Sequence, residues 1–313
     1  MSVAGSEWMS PSRSWGDFLP AAARVRMVIL AVLVLFIYWE PIRHTLISRW
    51  ITDGNWSHGW LIPAFSAYFL FTRREELLRC VPSPNYLGAV VLALSLAGFF
   101  WSAWWARMAY PQALTLISTL LGLVLLLGGW SVLRVVWFPI AFLLLAVPLP
   151  HSYYFQLTTP LRELASTVSA AVLPVLIPGL HSEAQAVVID YIRPGYPPGQ
   201  LNVEEACSGM RLLMAFVTLG IAMAYLGERP AWQRLVMVVS CLPIALFCNV
   251  IRVTTTGYLT IMGRTDLAQG TAHQLLGIAM LLIALGLYSL LGYVLDNLFV
   301  EGPDGKEPDI EVK

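Results

Sequence analysis

Apolar runs approaching about 20 residues recur along this chain between short polar connectors, and no other feature limits its fold as much. Wound as a helix, a run of that length matches the hydrocarbon thickness of a bilayer. A water-soluble fold has no interior large enough for so many of them. Composition agrees: of 313 residues, 58% are hydrophobic and 12% charged, against about 25% charged in an average soluble domain. The expected fold class is an all-α polytopic membrane protein with about eight transmembrane helices, an interfacial or re-entrant helix and an external loop.

Orientation follows from the basic residues. The cluster Arg73-Arg74-Glu75-Glu76-Leu77-Leu78-Arg79 belongs in the cytoplasm under the positive-inside rule. Spans at about Val25 to Trp39 and Gly59 to Thr72 precede it, so the N-terminus lies inside as well. Further spans follow at Tyr86 to Ala106, Tyr110 to Gly128 and Leu133 to Val147, the last stopped outside by Pro148 and Pro150. Residues 161–177 are apolar but short and interrupted by Pro174, which suits a surface-lying or re-entrant helix. Residues 184–203 alternate weakly among prolines and glycines and read as an extended external loop. Crossings at Ala206 to Leu226, Leu235 to Ile251 and His273 to Leu295 complete the set and leave both ends inside. The first apolar segment follows a long polar lead and shows no cleavage site, so it reads as a retained span and not a signal peptide.

Several function classes fall away. Formal net charge is zero, and no basic stripe alternates with exposed aromatics, which sets nucleic acid aside. Cys80, Cys207, Cys241 and Cys248 show no paired spacing, so a disulfide framework is not expected. His44, His151 and His181 are scattered without metal-ligand spacing. Neither a metal nor another cofactor is expected.

The polar run Glu204-Glu205-Ala206-Cys207-Ser208-Gly209-Met210-Arg211 opens directly into an apolar segment. In the expected topology Cys207 lies at the outer start of one helix, Arg252 at the outer end of the next, and His273 at the outer start of the last. Three polar side chains distant in sequence thus share one depth. Cysteine acts as a nucleophile through its thiolate, favoured by a helix N-terminus, an arginine or a protonated histidine. Arg211, one turn along, adds positive charge. His273 titrates where it can take and return a proton. Arg252 stays charged and suits an oxyanion, with Asn249 as a second donor or a support for the arginine. Ser208 and Gly209 allow close approach of a substrate backbone.

Each residue also has a plainer reading. Cysteine is commonly an inert packing residue, and Cys241 and Cys248 fit that description. His273 can cap its helix, Arg252 can snorkel to headgroups, and Glu204 and Glu205 can be ordinary helix-start acids. Arg211 inside a span needs a partner, either Glu205 or a substrate carboxylate. His58 in Ser57-His58-Gly59 is a helix cap or lines the same external cavity.

Taken together, Glu205-Ala206-Cys207-Ser208-Gly209-Met210-Arg211, Asn249-Val250-Ile251-Arg252 and His273 in Ala272-His273-Gln274-Leu275-Leu276-Gly277 resemble the signature blocks of the exosortase/archaeosortase family. Ser57-His58-Gly59-Trp60-Leu61-Ile62-Pro63 and Ala146-Val147-Pro148-Leu149-Pro150 are similar too, so the resemblance spans about residues 55 to 285. It implies a sortase-like cysteine transpeptidase or protease of the bacterial inner membrane, often associated with exopolysaccharide production. Its substrates would be membrane-anchored proteins with a PEP-CTERM-type C-terminal sorting signal. By position Cys207 matches the nucleophile, Arg252 the essential arginine and His273 the third catalytic residue; histidine there, where archaeal relatives have arginine, resembles the bacterial exosortases. On this reading residues 1–24 are a cytoplasmic segment, 25–299 a single transmembrane catalytic domain and 300–313 an acidic cytoplasmic tail. The alternatives are a transporter lined by Arg211, Arg252 and His273, or a non-catalytic membrane factor for polysaccharide export. Oligomeric state is not legible from sequence.

Overall fold

Backbone in lipid must satisfy its own hydrogen bonds, and helices do so within one segment. The structure, a computed structural model, describes residues 20–203, 209–227, 229–264, 267 and 270–298; at 154, 209–212, 270–274 and 298 it describes backbone alone. The described chain is helical apart from one small sheet. Among the described residues four helices are long and apolar enough to cross a membrane: Leu87–Trp105, Ala109–Ala146, Ala231–Ile261 and Leu275–Asn297. The pair Ala21–Ile37 and Pro41–Thr52, bent by 70°, makes a fifth when counted as one span. An all-α membrane architecture is thus present, with four or five candidate spans among the described residues. Contacts gather the chain into two units, Met1–Pro160 and Leu161–Lys313.

Unit 1 contains α1 (Ala21–Ile37), a π-helical stretch Pro41–Ile47 leading into α2 (Ser48–Thr52), a 3-10 segment Gly54–Trp60, α3 (Leu61–Thr72), α4 (Arg74–Arg79), α5 (Leu87–Phe100) and α6 (Ala109–Phe142). α6 with its 3-10 extension to Ala146 would be about 57 Å long if straight, nearly twice the hydrocarbon thickness. It is not straight, because Gly129 breaks it at φ 72° and ψ −167°. Tyr38 Oη meets Thr119 Oγ1 at 2.8 Å, and Trp50 Nε1 donates to the Ala146 carbonyl at 2.9 Å. Only twelve residues separate Tyr38 from Trp50, whereas a straight helix would put Thr119 and Ala146 about 40 Å apart. The legs therefore fold toward each other at Gly129, between the two spans expected at 110–128 and 133–147. The bend is locked by Ser83, whose N–H donates to the Gly128 carbonyl at 3.2 Å, and by Ser131 Oγ, which donates to the Val81 carbonyl at 2.8 Å. Along the first leg Gly88 packs against Gly122 and the backbone of Leu126, the close approach that small residues permit between membrane helices.

Unit 2 takes in the later part of α7 (His151–Leu176), three strands, α8 (Gly209–Leu226), α9 (Ala231–Val239), α10 (Cys241–Ile261) and α11 (Gly270–Leu298). β1 (His181–Gln185), β2 (Val188–Ile192) and β3 (Gly199–Asn202) form an antiparallel meander. This corrects the expectation of a loop over 184–203, where an extended chain was expected but not a sheet. The prolines that suggested a loop, Pro194, Pro197 and Pro198, all fall between β2 and β3, and the strands contain none. Ala186 at φ 52° supports the two-residue β1–β2 turn. The inner face of the sheet, with Ile189 and Leu201, packs on Leu173 of α7 and Val253 and Ile261 of α10. The interfacial helix expected at 161–177 is longer, beginning at His151.

Candidate active site

The backbone of Arg211, Arg252 and the backbone of His273 lie on three helices of unit 2, α8, α10 and α11, whose relative heights follow from their contacts. Gln233 Nε2 donates to the Leu295 carbonyl at 3.1 Å, and Cys248 Sγ approaches the Met280 carbonyl at 3.8 Å. Rising numbers on α9–α10 thus meet falling numbers on α11, so the two run antiparallel. Continuing at about 1.5 Å per residue brings Arg252 level with about residue 276, one turn from the His273 backbone. α8 runs parallel to α11: Tyr288 Oη donates to the Phe216 carbonyl at 3.1 Å, and Arg229 beyond the end of α8 pairs with Asp296 at 2.7 Å. That offset sets Gly209 level with about residue 279. The first residue of α8, Arg252 and the first turn of α11 therefore occupy the same end of one unit.

Arg252 differs from its expected position at the outer end of a span. α10 continues to Ile261, and Arg252 lies inside it at 2% exposure. The reason is packing: Val253 and Ile261 pack against α7 and the sheet, so the helix stays covered past the arginine. Asn249 sits three residues earlier on the same helix and is half-buried. β3 ends beside this point, since Val203 is fully buried in the cluster that holds Val253 and donates its N–H to the Val187 carbonyl at 2.9 Å. Four residues after Val203 in sequence comes Cys207. Glu205, Cys207 and Ser208 lie outside the described residues, and for Arg211 and His273 only the helical backbone is described.

Sequence reasoning missed the polar face of α7. Thr158, Arg162, Ser166 and Ser169, at helical spacing, are all buried, Arg162 at 6% exposure. Ser169 Oγ accepts from Thr254 Oγ1 at 3.1 Å and donates to the Val250 carbonyl at 3.4 Å, tying α7 to the arginine-bearing helix on both sides of Arg252. The signal was a polar residue every three or four positions, present within 161–177 as Arg162, Ser166 and Ser169 and extended to Thr158 by the earlier helix start.

His58 belongs to unit 1, in the 3-10 segment capped by Asp53, whose Oδ1 accepts from the Asn55 N–H at 3.0 Å. It is 9% exposed beside the ring of Trp56, and its ring nitrogens make no hydrogen bond of good geometry. Burial pulls its pKa below the ordinary histidine value, offset only in part by the backbone of Asn55. The segment is seated on Trp50, which covers Gly59 and also reaches the Ala146 carbonyl. Ser57-His58-Gly59 and Ala146-Val147-Pro148 thus form one packed junction. Away from it, burial raises the Cys80 thiol above its usual range, as suits a packing cysteine.

Long apolar helices, one of them carrying a buried arginine, define a multi-pass membrane protein. Residues 50–290 match the family described as transmembrane exosortase, and the chain belongs to that family. No curated protein and no solved structure matches it.

Proposed function

We propose that this exosortase is a membrane-embedded cysteine transpeptidase or protease that cleaves the C-terminal PEP-CTERM-like sorting signal of exported proteins. Its site faces the external side of a bacterial inner membrane, with both chain ends in the cytoplasm and about eight crossings between them. The observation that carries the reading is that the α8 start, Arg252 and the first turn of α11 lie toward the same end of unit 2. Membership of a family of membrane transpeptidases and proteases supports the reaction class.

In this reaction the Cys207 thiol gives its proton to His273 and its sulfur attacks the scissile carbonyl. Arg252, with Asn249 beside it, stabilises the oxyanion. Collapse expels the amine, which takes the proton from His273 and leaves a thioester on Cys207. An incoming amine or water then loses its proton to His273 and attacks the thioester, and the proton returns to the thiol. Arg211 favours the thiolate and is balanced by Glu205. Ser208 allows the substrate backbone close approach. The test compares Cys207→Ser with Cys241→Ser in cells co-expressing a tail-anchored substrate. Processing lost in the first alone supports the reaction; processing retained in Cys207→Ser refutes it.

A further inference from the structure

Resting on the reaction just proposed, we infer that Arg229, Asp296 and Gly292 form a register lock that sets the height of His273 from the far end of its helix. Arg229 Nε donates to Asp296 Oδ1 and Nη2 to Oδ2, both at 2.7 Å, a bidentate pair. Such a fork fixes direction as well as distance. The guanidinium lies over Gly292, where a Cβ would come within 2.8 Å of Nη2. Only a residue without a side chain leaves that seat open. One turn of α9 away, Gln233 Nε2 bonds to the Leu295 carbonyl.

These contacts hold α11 at one end, and α11 transmits their effect to the other. It is one helix from Gly270 to Leu298 and contains no proline. His273 and Asp296 are about 35 Å apart along it. Toward His273 the helix is packed through Leu276, Ala279 and Met280, while Leu275, Ile278 and Leu282 face outward and a Cβ at Gly277 would meet open space. Apolar side chains gain little by choosing a helix over lipid tails, so polar contacts carry much of the axial specificity between membrane helices. A slide of one turn, about 5.4 Å, would keep apolar packing largely intact but change the height of the His273 backbone relative to Arg252. Arg229 and Asp296 are thus positioning residues, remote from the reacting atoms.

Disulfide cross-linking reads the register without catalysis. In a chain with Cys80, Cys207 and Cys241 changed to serine, Cys248 is retained and Leu276, Met280 or Ala284 is changed to cysteine one at a time. A protease site after Gly263 makes the cross-link visible on a gel. With the lock intact, Met280→Cys should cross-link best. Asp296→Ala and Arg229→Ala should shift yield toward Leu276→Cys or Ala284→Cys, and the swap Arg229→Asp with Asp296→Arg should restore the original order. In the catalytically intact chain the same single changes should lower kcat about tenfold or more with KM unchanged, and the swap should recover it. An unaltered cross-linking order in both single variants overturns the lock, as does a shifted order with full processing. Retained processing in Cys207→Ser would instead refute the reaction and leave the cross-linking result standing.

Discussion

Gly59→Ala tests the junction on which His58 stands. A Cβ at residue 59 would overlap Cδ1 and Nε1 of Trp50 and come within 2.7 Å of Cε2, so the indole must move. Trp50 is 8% exposed and donates to the Ala146 carbonyl at 2.9 Å. Losing that bond costs about 0.5–1.5 kcal/mol, and overpacking a tight site costs about 1–3 kcal/mol. The expected destabilisation is therefore about 1.5–4.5 kcal/mol, a fall in Tm of roughly 3–18 °C by the scale of domains this size. Thermal unfolding of the detergent-solubilised protein, followed by size-exclusion chromatography, measures it. Trp50→Ala supplies the control because it removes the indole atoms that a Cβ at residue 59 would meet. The double variant should be more stable than the sum of the single effects predicts, by about 1 kcal/mol or more. A shift under 1 °C for Gly59→Ala, or strict additivity, would refute the packing argument.

Three further outcomes are expected. His58 is held below its ordinary value of 6.5 by burial, so the unfolded chain binds the proton more readily and stability falls as pH drops from 6.5 through the folded value. His58→Phe should flatten the dependence of Tm on pH in that window. Gly129→Ala places a Cβ against the Ser83 carbonyl at a φ of 72°; the left-handed backbone alone costs about 1–2 kcal/mol, and the folded yield in membranes should drop accordingly. Arg252→Gln should slow processing by about 10²- to 10³-fold if the guanidinium meets the oxyanion, with Arg252→Lys between it and the native chain because a point charge lacks the planar fork; radiolabelled processing time courses would show both.

The membrane class and most helix positions were legible because lipid imposes a length and a hydropathy that few other environments demand. The last helix, expected from His273 to Leu295, runs from Gly270 to Leu298. Where tertiary contacts overrode local signals the reading was less complete. The sheet was hidden because its strands are short and its prolines crowd one connection. α10 outran its apolar segment because Val253 and Ile261 found cover on α7 and the strands, not in lipid. Sequence placed Cys207, Arg252 and His273 at one depth by counting crossings. The described backbone brings the α8 start, Arg252 and the His273 turn toward one end by a different route, the pairing of Gln233 with Leu295, Cys248 with Met280 and Tyr288 with Phe216.

That route has a consequence for where substitutions should act. Hydroxyls, amides and carbonyls make the helix-to-helix contacts of unit 2: Ser169 with Val250 and Thr254, Gln233 with Leu295, Tyr288 with Phe216. Each is worth about 0.6 kcal/mol on average in a membrane protein, too little for any one to decide folding. Together they distinguish one axial register from the next, a choice that apolar faces make poorly. A reaction shared among residues of three helices is sensitive to that choice, since a displacement of about 1 Å can cost about 10²-fold in rate. Variants at these buried polar contacts should accordingly assemble in the membrane at near-normal levels and lose processing. Variants at Trp50, Gly59 and Gly129, where steric overlap is the cause, should lose assembly first.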